Sequence, residues 1–86
     1  MHNSGFMCPV CGFRGLNEPA YDVKGCASFE ICPSCATEFG NHDAKRSHEE
    51  LRKAWLAVGA PWRSKALSAP LGWDGHEQLK EAGLIK

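Results

Sequence analysis

Two Cys-Pro-x-Cys units separated by 20 residues, a strand-like run leading into the second unit, and two capped helical patterns beyond residue 47 predict a small α+β domain stabilised by a metal ion. The expected architecture is a zinc ribbon over residues 6–40, two knuckles with a β-hairpin, followed by two C-terminal helices over 47–84 packed on it. With 86 residues the chain is expected to form one domain, residues 1–86. A chain this short buries too little apolar surface for a wide stability margin, so a staple is needed. Five cysteines supply the chemistry for one.

Each element has a local reason. In Cys8-Pro9-Val10-Cys11-Gly12 and Cys32-Pro33-Ser34-Cys35-Ala36, two residues between the cysteines let the chain turn so that both sulfurs face one ion. Pro9 and Pro33 pre-set that turn, and Gly12 supplies the positive φ that closes it. Ala36 stands where a second glycine is expected, which implies a different exit from the second knuckle. Between the knuckles, Ala20 to Val23 and Ala27 to Ile31 read as the arms of a hairpin around Lys24-Gly25, with Phe29 and Ile31 on one face and Glu30 opposite.

The C-terminal half carries helix signals. Ser47-His48-Glu49-Glu50 is a capping box, and Leu51, Trp55 and Val58 recur behind it at helical spacing. Gly59, followed by Ala60-Pro61, stops that helix. Ser64 to Pro70 reads as an exposed loop. Asp74-Gly75-His76-Glu77 is a second, weaker capping box, followed by Leu79 and Ala82 on one face and a stop at Gly83.

The chemistry lies in the thiols. Cys8, Cys11, Cys32 and Cys35 are the expected ligands of one structural Zn2+ ion, with Fe as the alternative. Four thiolates close a tetrahedral shell and leave no position for a substrate. Met1 to Met7 contain no apolar run flanked by positive charge, so no signal peptide is visible and a cytoplasmic location with reduced thiols is expected. A thioredoxin-type centre needs a βαβ context that this pattern lacks. Cys26 is left over and is expected to be a buried small apolar residue, the alternative being an exposed reactive thiol or a replacement ligand. His42, seven residues beyond Cys35, is an alternative ligand whose expected place is the surface. His2, His48 and His76 need no special role.

Lys plus Arg equals Asp plus Glu at 10 each, so no global field draws the chain to a phosphate backbone or an acidic membrane. No stretch reaches the roughly 20 apolar residues that span a bilayer. The basic residues between Lys45 and Lys65 read as a solvated helix face before they read as a nucleic-acid stripe. Three tryptophans are expected chiefly to pack the helices onto the ribbon. The candidate contact surface is Arg52, Trp55, Trp62 and Arg63, because Trp and Arg anchor interfaces.

Several segments are similar to a known group. Cys8-Pro-Val-Cys-Gly-Phe, Gly15-Leu-Asn-Glu-Pro, Tyr21-Asp, Ser28-Phe-Glu-Ile-Cys-Pro-Ser-Cys, Glu38-Phe-Gly, His48-Glu-Glu-Leu-Arg-Lys-Ala-Trp and Gly59-Ala-Pro-Trp resemble the small bacterial cysteine-rich CPCC proteins over roughly residues 6–62. The group's Cys-Pro-Cys-Cys is Cys32-Pro33-Ser34-Cys35 here, so Ser34 removes a cysteine that a tetrahedral site does not require. The resemblance implies a zinc-ribbon-like protein and assigns no activity. No carboxylate pair, nucleophile triad or phosphate loop is visible, so the expected function is a non-catalytic binding or adaptor module whose partner is another protein. A rubredoxin-like iron electron carrier and a nucleic-acid-binding ribbon are the alternatives.

Overall fold

Three tight reversals of the chain, each closed by a single antiparallel bridge, build the N-terminal half: Phe6 with Leu16, Tyr21 with Ala27, and Ile31 with Glu38. The computed structural model describes residues 5–85. The expectation for His2 lies outside them, and that for a leader over Met1–Met7 lies largely outside them.

The first and third reversals are the knuckles, and they are built alike. Cys8 N–H donates to the Phe13 carbonyl (2.7 Å) and Gly12 N–H to the Cys8 carbonyl (2.9 Å). At the same positions, Cys32 N–H donates to Thr37 (3.0 Å) and Ala36 N–H to Cys32 (2.7 Å). The expected difference in exit is therefore corrected. Ala36 adopts φ 65° where Gly12 has 85°, so the alanine takes the left-handed conformation that glycine takes without steric cost.

The hairpin expected between the knuckles does not extend into strands. Among the described residues, strand pairing stops at the three isolated bridges. Asp22 N–H donates to Cys26 O and Ser28 N–H to Ala20 O, both at 3.0 Å, so the reversal exists, but it does not propagate. Phe29 is the reason: its φ of 60° turns the chain out of the extended conformation. The Ser28 hydroxyl accepts from Glu30 N–H (3.1 Å) and stabilises that local turn. Phe29 and Ile31 consequently stay exposed, at 62% and 58%, and do not form the shared strand face that their alternation suggested. Glu30 instead ties down the preceding loop, its carboxylate accepting from the backbone of Asn17 and Glu18.

A single 3-10 turn, His42–Ala44, leads to helix α1, His48–Ala57. Its capping box forms as the sequence implies, with Glu50 N–H on Ser47 Oγ and Ser47 N–H on Glu50 Oε1. Gly59 (φ 94°) ends the helix: Gly59 N–H returns to Leu56 O and Ala60 N–H to Trp55 O. Val58 thus becomes the cap residue, leaves the helical stripe, and is 59% exposed. Helix α2, Gly75–Glu81, starts on the Asp74 carboxylate, which accepts from His76 and Glu77 N–H. It ends on Gly83 with the same pair of return bonds. Gly75 permits the approach of the two helices, because a Cβ there would lie 2.4 Å from Ala60 O and 2.9 Å from Trp55.

The core is the junction of these parts. Cys8, Val10, Cys11 and Cys32 from the knuckles meet Leu16, Phe39, Trp55, Ala60 and Leu79, all nearly inaccessible. Phe13, Trp62, Trp73 and Trp55 continue it as a run of ring contacts, with centroids 5.7, 5.3 and 6.3 Å apart in that order. No helix of the described residues is long and apolar enough to cross a membrane.

Candidate metal centre

The two knuckles face each other and bring four sulfurs together. Cys8 Sγ lies 3.8 Å from Cys35 Sγ, Cys11 Sγ lies 3.6 Å from Cys32 Sγ, and all four atoms fall within 4.8 Å of one another. A tetrahedral ion with sulfur ligands at about 2.3 Å requires sulfurs about 3.8 Å apart, so the spacing fits a metal. It does not fit disulfides, whose sulfurs lie about 2.05 Å apart, and all five cysteines are free. Cys8, Cys11 and Cys32 are 0% exposed, while Cys35 is partly exposed.

The surroundings act differently on the four sulfurs. Val10 N–H lies 3.4 Å from Cys8 Sγ, and the Thr37 hydroxyl lies 3.3 Å from Cys35 Sγ. Cys35 is held well below the usual thiol range by hydrogen bonds from Cys11, then Cys32 and Cys8, with Thr37 adding to them. Cys8 and Cys32 are pushed up, chiefly by their hydrogen bonding with Cys11, then by bonding to Cys35 and by burial. A divalent cation displaces thiol protons and lets all four sulfurs act as thiolates.

The C-terminal half grips both knuckles at equivalent atoms. On the first, the Arg52 guanidinium donates to the carbonyls of Pro9 and Val10, both at 2.8 Å. On the second, Ser64 N–H donates to Pro33 O (2.9 Å) and Arg63 N–H to Ser34 O (3.2 Å). Gln78 bridges the two, its Nε2 donating to Cys11 O and to Ser34 Oγ, both at 3.0 Å, while its Oε1 accepts from Trp73 Nε1–H. Sequence patterns could not reveal Gln78 or the role of Arg52, because the knuckle atoms they bind lie more than 40 residues away.

The remaining candidates fall in different places. Cys26 and His42 do not join the four-sulfur group. Cys26 is exposed on the Asp22–Ala27 turn, which corrects the expectation that it is buried. His42 is exposed, and its Nδ1 accepts from Glu38 N–H at 2.9 Å. Trp55, expected in the contact surface, is 4% exposed, and its indole N–H is bound to Pro61 O, so it belongs to the core. Arg52 is half-buried and engaged on the first knuckle. Trp62 is half-buried in the run of rings, and Arg63 is exposed.

No family model matches the chain, and no solved structure matches it. A relative does: YoaQ of Bacillus subtilis (strain 168), described as an uncharacterized protein, is 31% identical over 97 aligned positions that cover 94% of this chain and 76% of YoaQ. With likeness over nearly the whole of one chain and three quarters of the other, the protein belongs to the family of Bacillus subtilis YoaQ.

Proposed function

We propose that the protein is a small zinc-binding adaptor of the bacterial CPCC type, working in the cytoplasm, in which a four-cysteine zinc site is structural and another protein is the partner. The observation that carries this reading is the closed cage: four sulfurs from two like-built knuckles converge within 4.8 Å. Four protein ligands complete a tetrahedral shell, which is the mark of a structural site and not of one that keeps a position for substrate. Zinc suits four thiolates, carries no redox chemistry of its own, and contributes folding free energy to a domain with a small core. Free cysteines at this density fit a reducing compartment.

Binding then falls to the surface that the metal holds in place. Arg63, with Phe13, Ile31, Pro33 and Leu67, lines a groove of about 490 Å3 beside the second knuckle. Ile31 and Leu67 there are 58% and 60% exposed, which gives a protein partner apolar area next to a cation. Elemental analysis of protein purified without added metal tests the metal assignment. Zinc near one ion per chain in a colourless preparation is expected. A red preparation containing iron would replace the structural zinc with an electron-transfer centre.

A further inference from the structure

We infer that Cys35 is the reactive sulfur of the cage, the point at which a hydroperoxide oxidises and opens it. Three of the four residues are sealed, with Cys8, Cys11 and Cys32 at 0% exposure, whereas Cys35 is partly exposed. It also lines a cleft of about 370 Å3, with Thr37, His42, Trp55 and Arg63 on its walls. Of the four, Cys35 alone combines partial exposure with a place on a cleft wall.

The walls suit the reaction. In the attack, the Cys35 sulfur gives an electron pair to one oxygen of the hydroperoxide. An S–O bond forms, the O–O bond breaks, and the leaving hydroxide or alkoxide takes a proton from water. Sulfur is oxidised by two electrons and the peroxide is reduced by two. Negative charge moves from sulfur to the leaving oxygen, and the cleft offers donors for it. The Thr37 hydroxyl lies 3.3 Å from the sulfur, and Arg63 makes no ion pair among the described residues. Cys8 Sγ, at 3.8 Å, is placed to resolve the sulfenic acid. Its thiol displaces water from Cys35, an S–S bond forms, and two of the four ligands are lost to the ion. Structural thiolates are inert when buried, so exposure at one corner sets where the chemistry starts.

The inference rests on the four-thiolate metal reading, and the test keeps the two apart. Zinc-loaded protein carrying Cys26→Ser, which removes the exposed thiol outside the cage, is treated with limiting hydrogen peroxide in the presence of a sulfenic-acid trap. Peptide mapping reads the order of labelling, and a colorimetric chelator reads zinc release. Cys35 is expected to be labelled several-fold ahead of Cys8, Cys11 and Cys32, with zinc released in step. Arg63→Ala should slow the release several-fold without changing the zinc content beforehand. Labelling that begins at another ligand or spreads evenly over the four overturns the inference, as does Arg63→Ala releasing zinc at the parent rate. Zinc content before oxidant is the separate check: a chain that binds none defeats the metal reading, and the labelling order of its free thiols still reports whether Cys35 is the open corner.

Discussion

Gln78 in the middle of α2 donates to Ser34 Oγ, a side chain with 0% exposure inside the second knuckle, and with its other amide hydrogen to Cys11 O in the first. One amide group therefore spans both halves of the cage, and its oxygen accepts the Trp73 indole N–H. Replacing Gln78 by Leu keeps the volume and removes the hydrogen bonds to these three partners, of which Ser34 and Cys11 are buried. The expected cost is about 1–3 kcal/mol, the penalty for buried polar groups left unsatisfied. Denaturant unfolding of the metal-loaded variant should show a lower midpoint with an unchanged slope. A midpoint equal to that of the parent would mean that water replaces the bridge without loss.

The two knuckles differ at one backbone position, and the difference can be exploited. Ala36 at φ 65° bears the steric cost of a left-handed alanine, about 1–2 kcal/mol, and a glycine there bears none. Glycine also raises the entropy of the unfolded chain, which takes back about 0.4–1 kcal/mol. Ala36→Gly should therefore stabilise by about 0.5–1 kcal/mol. Gly12→Ala should do the opposite by about 2 kcal/mol or more, because strain adds to overpacking. Its Cβ would meet Ala82 Cβ at 2.7 Å and Gln78 O at 3.1 Å. Thermal unfolding of the two variants checks the pair, and shifts of the same sign would defeat the account.

These residues also mark what a sequence can disclose. The knuckles, the Ser47 box and the glycine stops were legible because each is settled by atoms within about five residues along the chain. The tethers through Arg52 and Gln78 were not, since nothing in a helical arginine or glutamine signals a carbonyl 42 or 67 positions away. The hairpin misled for another reason. Alternation in Ala27 to Ile31 mimics a strand, but Ser28 and Phe29 form a local turn that no long ladder overrides. Cys26 looked like core by type, and only its place on a protruding turn put it in water.

That exposure separates the fifth cysteine from the other four in a direct way. Cys26→Ser should leave the metal content and the unfolding midpoint unchanged to within about 0.5 kcal/mol, as expected for a surface site. On the proposed zinc reading, Cys11→Ser or Cys32→Ser removes a ligand at the centre of the core and forfeits most of the metal's contribution, on the order of 10 kcal/mol apparent in small zinc peptides. Those variants should lose the ion and the dispersion of their amide spectra, and chelation of the parent should do the same. A Cys11→Ser chain that stays folded without metal would show that the helices and Phe39 hold the fold by themselves.

Acid should act on a second centre as well as on the thiolates. The Asp43 side chain, 1% exposed, accepts from Tyr21 Oη–H (2.7 Å), Gly40 N–H (2.7 Å) and His48 Nε2 (2.8 Å), which ties the middle turn and the start of α1 to the segment after the second knuckle. Burial pushes its carboxyl up, but the hydrogen bonds from Tyr21, His48 and Gly40 outweigh that and hold it below its ordinary value. A carboxyl lowered by folding stabilises the native state above its unfolded value, about 3.9, and that stabilisation is lost as pH falls through the folded value. Asp43→Asn should therefore cost about 1–3 kcal/mol near neutrality, and its gap from the parent should narrow below about pH 4. Proton competition for the cage thiolates acts on both chains alike and cancels in the difference. The Tyr21 hydroxyl, raised by its bond to Asp43, gives the mirror case. Tyr21→Phe should be destabilising through neutral pH, and the deficit should shrink as pH climbs past about 10, where the unfolded tyrosine ionises first. Unfolding midpoints of the three chains measured across pH decide it, and gaps that stay constant from acid to alkali would remove Asp43 from the account.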